Sequence, residues 1–217
     1  MNVLRYTDAD YARRLLDVMA PSSLFDPAIE QRTREIVEAV RRHGDEALVE
    51  LTRRFDGATL FPEQFAVSTA ELLRASLKAD RALRDAIAAA RKNIQTFSRK
   101  SLRRNWSGRN REGAKVGEKF DPFQRVGIYI PGGTAPLVST ALMTVVLAKV
   151  AGCSEIVVCT PGGRSGEINP ALLFATKIAG ATEIYRLGGA QAIAALALGT
   201  ASIRRVQKVF GPGNAYV

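Results

Sequence analysis

Apolar residues recur at helical spacing through the first part of the chain and in short unbroken runs through the second, and the change falls near position 120. Ile29, Ile36, Val37, Val40, Leu48, Val49 and Leu51 follow one another near helical spacing with charges between them, the pattern of helices that bury one side. Gly44 and the pair Asp56-Gly57 punctuate this stretch. Ser68, three residues before Glu71, has the form of a capping box and opens a helix carrying Leu72, Leu73 and Leu77. Another helix is predicted over 79–97, with Leu83, Ile87, Ile94 and Phe97 as core contacts.

Beyond a short strand predicted over 114–120 and a turn at Asp121-Pro122, strands and helices alternate. Strands are predicted at 126–130, 155–159, 183–187 and 208–210, and helices at 139–151, 170–178 and 192–198. Strand starts recur at about 25–30 residues, the length of a βαβ unit. The strands are continuous apolar runs, as a parallel sheet covered on both faces requires, and right-handed crossovers make the unit a half-Rossmann layer. The expected fold is therefore α/β: a mainly helical segment of an incomplete domain over 1–120, then a Rossmann-like unit over 121–217. The final Gly-Pro-Gly-Asn loop should lead into another element, so the sheet is expected to lack its closing edge.

Composition narrows the class without naming a function. An apolar share of 47% beside 24% charged residues suits a globular protein. The segment 1–11 has no apolar signal core, which makes the cytoplasm the expected location. The longest apolar stretch, 135–151, is interrupted by Ser139, Thr140, Thr144 and Lys149, and reads as a buried helix with no membrane role. Cys153 and Cys159 match no zinc or redox spacing and are expected to be small core residues. A net charge of +10, with basic residues crowded between Arg99 and Lys119, raises nucleic acid as a partner. Trp106 and Phe97 supply no regular aromatic interleaving there, so a solvated helix end and loop is the favoured reading.

Candidate chemistry gathers at the strand ends. Pro131-Gly132-Gly133, Gly188-Gly189 and Gly211-Pro212-Gly213 each follow a predicted strand, where open α/β sheets bind ligands. Such loops serve equally as tight strand-to-helix turns. The first reads PGGTAPL, which departs from the dinucleotide fingerprint, and the second strand ends in Cys159-Thr160-Pro161 with no carboxylate for ribose hydroxyls. Residue chemistry alone leaves a nucleotide site and an anion site both open. His43 is the only histidine and sits among Arg41, Arg42 and Asp45 at a helix end, a surface or capping position. No zinc set or Ser-His-Asp arrangement can be assembled around it.

Three segments carry a resemblance: the run 125–133 with Tyr129, LGGAQAIAALALGT over 187–200, and VFGPGNAYV over 209–217. Together, in this order, they resemble histidinol dehydrogenase. The resemblance implies a zinc-dependent, NAD-linked homodimer that oxidises L-histidinol to L-histidine through the aldehyde. It places NAD contacts on Tyr129, Gln191 and Asn214. Each type fits: a phenol at a strand end, and two amides that donate and accept. Without the resemblance, Tyr129 reads more simply as a core aromatic whose hydroxyl finds a partner. The family's zinc ligands, general-base Glu–His pair and substrate-binding residues match no position here, so these 217 residues alone are expected to be inactive. The alternatives are a non-catalytic scaffold pairing with a separate second half and, disfavoured, a nucleic-acid binder.

Overall fold

The computed structural model describes residues 3–19, 26–132 and 136–213. Five helices come first: α1 (Tyr11–Met19), α2 (Pro27–His43), α3 (Asp45–Asp56), α4 (Thr69–Lys78) and α5 (Arg81–Ser101). A hairpin follows, β1 (Trp106–Arg109) and β2 (Lys115–Glu118). The alternating part runs β3 (Arg125–Tyr129), α6 (Val138–Ala151), β4 (Glu155–Cys159), α7 (Pro170–Ala179), β5 (Glu183–Tyr185), α8 (Gly189–Leu198) and β6 (Lys208–Phe210). The helix starts are chemically marked. Asp26, Ser68, Asp80 and Asn169 each accept from a backbone N–H of the first turn that no helical carbonyl reaches. Ser68 and Glu71 close the capping box reciprocally, as their spacing predicts.

The four strands of the alternating part form one parallel sheet in the order β5-β4-β3-β6. The first two crossovers step one way across the sheet, and the third returns to the far side of β3. Right-handed connections therefore put α6 and α7 on one face and α8 on the other. Strand residues alternate accordingly. Val126, Ile128, Ile130, Ile156, Val158 and Ile184 pack with Ala75, Ile87, Val145 and Leu172. Tyr129, Val157, Cys159 and Tyr185 face the opposite way, with Val40, Leu48, Leu51 and Leu196. The helical first segment thus supplies outer cover to both faces. The segment around Ala66 adds a bridge to the edge of β5, with Val67 donating to Ile184 and Phe65 accepting from Arg186. Among the described residues nothing pairs with the outer edge of β6.

Two core expectations need correction. Phe97 is 76% exposed, and α6 is not buried on every side, because Met143 and Leu147 are also exposed. The reason is common to both. The outer faces of α5 and α6 form an apolar groove of about 590 Å³ lined by Ile94, Phe97, Leu102, Met143, Leu147 and Val150, and no described element covers it. The predicted strand over 114–120 is one arm of the β1–β2 hairpin, exposed throughout. The hairpin is held in part by Trp106 donating to Glu118, and Lys119 pairs with Asp121 just beyond it. The two cysteines are free and buried, as expected. No described helix is long and apolar enough to cross a membrane.

Candidate functional site

The order β5-β4-β3-β6 reverses direction between β3 and β6, and the carboxyl ends of the strands at such a reversal leave a crevice. A cavity of about 530 Å³ lies at this end of the sheet. Its floor comes from the strand ends, Tyr129, Pro131, Gly132, Thr160 and Pro161. One wall is the start of α7 with Asn169 and Leu172, and another is the first residue of α8, Gly189. A third wall comes from outside the α/β unit: Phe55 and Asp56 at the end of α3.

Close backbone approach is built into this edge. A Cβ on Gly188 would stand 2.8 Å from Pro161 Cβ and 3.0 Å from Asp56 Oδ1, so only glycine lets the loop, the β4 end and the α3 end meet. A Cβ on Gly211 would collide with the Tyr129 carbonyl oxygen, which is how the loop after β6 lies against β3.

Tyr129 joins core and cavity. Its ring is 4% exposed, and its hydroxyl accepts the backbone N–H of Gly189 at 3.0 Å, satisfying one otherwise orphaned donor of the α8 N-terminus. That contact fulfils the simpler reading of a core aromatic with a partnered hydroxyl. It also leaves the phenolic proton available at the cavity. Burial raises the Tyr129 pKa, the Gly189 N–H opposes this, and the nearby Asp56 charge raises it further. The phenol is therefore protonated and a donor at neutral pH.

Gln191 is the third residue of α8 and is 1% exposed. It does not line the cavity but stands behind Gly189, where its Oε1 lies 2.7 Å from the position of a Gly189 Cβ. Its Nε2 has no hydrogen-bond partner. Asn214, the third expected contact, lies outside the described residues. The structure thus brings Tyr129 to the cavity and Gln191 to the loop beside it.

Residue reading missed Asp56 and Thr160. The Oδ2 of Asp56 and the Oγ1 of Thr160 are buried without partners, and both residues line the cavity. Burial raises the Asp56 pKa, with the Gly188 backbone N–H pulling the other way. Unpartnered buried polar atoms are rare and costly in a folded protein. Of the six side-chain atoms in this state among the described residues, Asp56 Oδ2, Thr160 Oγ1 and Gln191 Nε2 belong to this one edge.

The opposite edge holds the contrasting arrangement. Arg125, 5% exposed, donates to Glu155 at 2.6 Å and to both oxygens of Glu183. Tyr185 donates to Glu183 and Arg204 pairs with Glu155. Hydrogen bonds from Arg125 hold the Glu183 carboxyl below the usual carboxylate range, against its partial burial. His43 ends α2 at the surface, far from any role the sequence could give it as a base. Among the described residues no three His, Cys, Asp or Glu side chains converge to hold a metal ion.

A family model described as histidinol dehydrogenase matches residues 21–217. The chain belongs to the histidinol dehydrogenase family. The family's member in Symbiobacterium thermophilum is 46% identical over 193 residues, which are 89% of this chain and 44% of the relative. One from Bacteroides fragilis is 42% identical over 219 residues, covering 100% of this chain and 50% of the relative. The crystal structure of histidinol dehydrogenase from Elizabethkingia anophelis superposes with a TM-score of 0.82 at 38% identity, covering 87% of this chain and 43% of that one. The chain spans about half the length of these family members.

Proposed function

We propose that this chain forms the NAD-holding half of a histidinol dehydrogenase, which oxidises L-histidinol to L-histidine with two NAD. The observation that carries the reading is the cavity over the carboxyl ends of β3 and β4, lined by glycine-rich backbone and by Asp56 and Thr160, each with an unpartnered buried oxygen. NAD accepts a hydride when bound. The residues here bind and orient it: Tyr129 donates from its phenol, Gln191 beside the cavity offers its unpartnered Nε2, and Asn214, next after Gly213 in the sequence, is the third contact. The zinc that the family implies does not fit the side chains described, so no proton or metal step is assigned to them.

A homodimer is part of the same proposal. Its support is the apolar groove between α5 and α6 together with the outer edge of β6, neither of which is covered among the described residues. Contiguous faces of this kind drive association. A monodisperse monomer by light scattering, with cooperative unfolding, would contradict it.

Calorimetric titration with NAD tests the reading. Half of a binding cleft should hold the cofactor weakly, with a dissociation constant on the order of millimolar, about 4 kcal/mol. Gln191→Ala and Asn214→Ala should each remove about 0.5–1.5 kcal/mol, a several-fold loss. Affinity unchanged in both variants would remove these residues from the site. Zinc and histidinol added to these 217 residues alone should yield no NADH, and zinc-stimulated NADH formation would overturn that part.

A further inference from the structure

We propose that Asp56 accepts hydrogen bonds from a ribose diol of the dinucleotide, reaching the site from the helical segment in place of the carboxylate missing at the end of β4. The inference rests on the NAD reading above and deepens it.

In doubly wound nucleotide sites the strand next to the glycine loop commonly ends in an acid that holds the ribose hydroxyls. The neighbour of β3 here is β4, and it ends in Cys159, Thr160 and Pro161, a buried thiol, a hydroxyl and an imide. Asp56 fills that place from elsewhere. It is the last residue of α3, and Gly188 stands between it and Pro161, within 3.0 Å of Asp56 Oδ1 and 2.8 Å of Pro161 Cβ when given a Cβ. The carboxylate therefore arrives at the same strand end from outside the sheet.

Its valences fit a donor-bearing ligand. The Oδ2 is buried without a partner, and Asp56 is one of the residues that line the cavity. An ionised carboxylate only accepts, so the complementary group must offer O–H or N–H. A vicinal diol offers two hydroxyl donors, and its oxygens can also accept from the Tyr129 phenol at the same cavity. Tyr129 and Asp56 are close enough for the charge of one to move the pKa of the other. A phosphate placed on the diol would instead meet the carboxylate with like charge. The site should thus discriminate NAD from its 2′-phosphorylated counterpart.

The test is titration of the wild type, Asp56→Ala and Asp56→Asn with NAD and NADP, with amide shifts of Gly188 and Gly189 recorded in each. The wild type should prefer NAD to NADP by about tenfold, the scale of one charge-assisted hydrogen bond. Asp56→Ala should lose about tenfold in NAD affinity, and Asp56→Asn should bring NAD and NADP close together. Both variants remove a buried carboxylate whose Oδ2 has no partner, so melting temperatures at or above wild type show that folding is intact. If NAD binds with shifts at Gly188 and Gly189, yet the variants match wild type and NADP binds equally, Asp56 is not the diol acceptor while the NAD reading stands. If NAD leaves the wild type unchanged, both fall.

Discussion

The two ends of the parallel sheet spend their polar groups in opposite ways. At the amino ends of β3, β4 and β5, one buried arginine is shared between two carboxylates that are also bonded by Tyr185 and Arg204. At the carboxyl ends, Asp56, Thr160 and Gln191 each keep a buried atom without a partner beside an open cavity. The first arrangement fixes strand positions, since Arg125 and Glu155 are register partners. The second lowers stability unless a ligand supplies the missing bonds. Satisfied and unsatisfied polar groups on one sheet therefore separate the edge that holds the fold from the edge that carries the proposed site.

The largest expected effect is at the satisfied edge. Arg125→Met leaves two partly buried carboxylates facing each other, and should cost about 3 kcal/mol in urea unfolding. NAD affinity of the folded fraction should be unchanged, and a loss of affinity without loss of stability would erase the division between the edges. Gly188→Ala should do the reverse. Its methyl would press on Pro161 and Asp56 at the cavity wall, weakening NAD binding by about tenfold or more, about 1.4 kcal/mol, with a smaller stability loss. Equal NAD binding in that variant would show that the ligand does not pass this wall.

Smaller effects should distinguish the edges by sign as pH changes. Glu183 has a lowered pKa in the fold, because Arg125 bonds its ionised form. Its contribution is present above the ordinary carboxylate value and is lost as pH falls through the folded value. Glu183→Gln should therefore be less stable than wild type near neutrality, with the gap closing in acid. Asp56 has a raised pKa from burial, so its ionisation is a burden that sets in as pH rises past the ordinary carboxylate value and is complete above the folded value. Asp56→Asn should be more stable than wild type at neutrality, by about 1 kcal/mol or less, and the gain should vanish in acid. Thermal melts across pH would check both, and a shared sign would contradict the contrast.

The sheet was legible in the sequence because its signals are local. Apolar runs, glycine turns and the Ser68–Glu71 spacing each specify structure within a few residues, and β3 to β6 lie within two residues of where those runs put them. The site was only partly legible. Tyr129 and Gln191 were singled out because their motifs resemble a family, and both lie at the carboxyl edge. Asp56 was not, because Asp-Gly after a helix looks like any helix end. Its place at the cavity depends on α3 packing against α8, more than a hundred residues away in sequence. Phe97 failed for the converse reason: helical spacing tells which side of α5 is apolar, but not whether anything covers it.

The central claim is that one edge of this sheet awaits a ligand and the other is already complete. Backbone amide shift mapping during an NAD titration tests it most directly. The expected shifts fall on Gly132, Thr160, Gly188, Gly189 and Gln191, and spare Arg125, Glu155 and Glu183. Shifts centred on the Arg125 cluster, or on the basic hairpin between Trp106 and Glu118, would contradict the account.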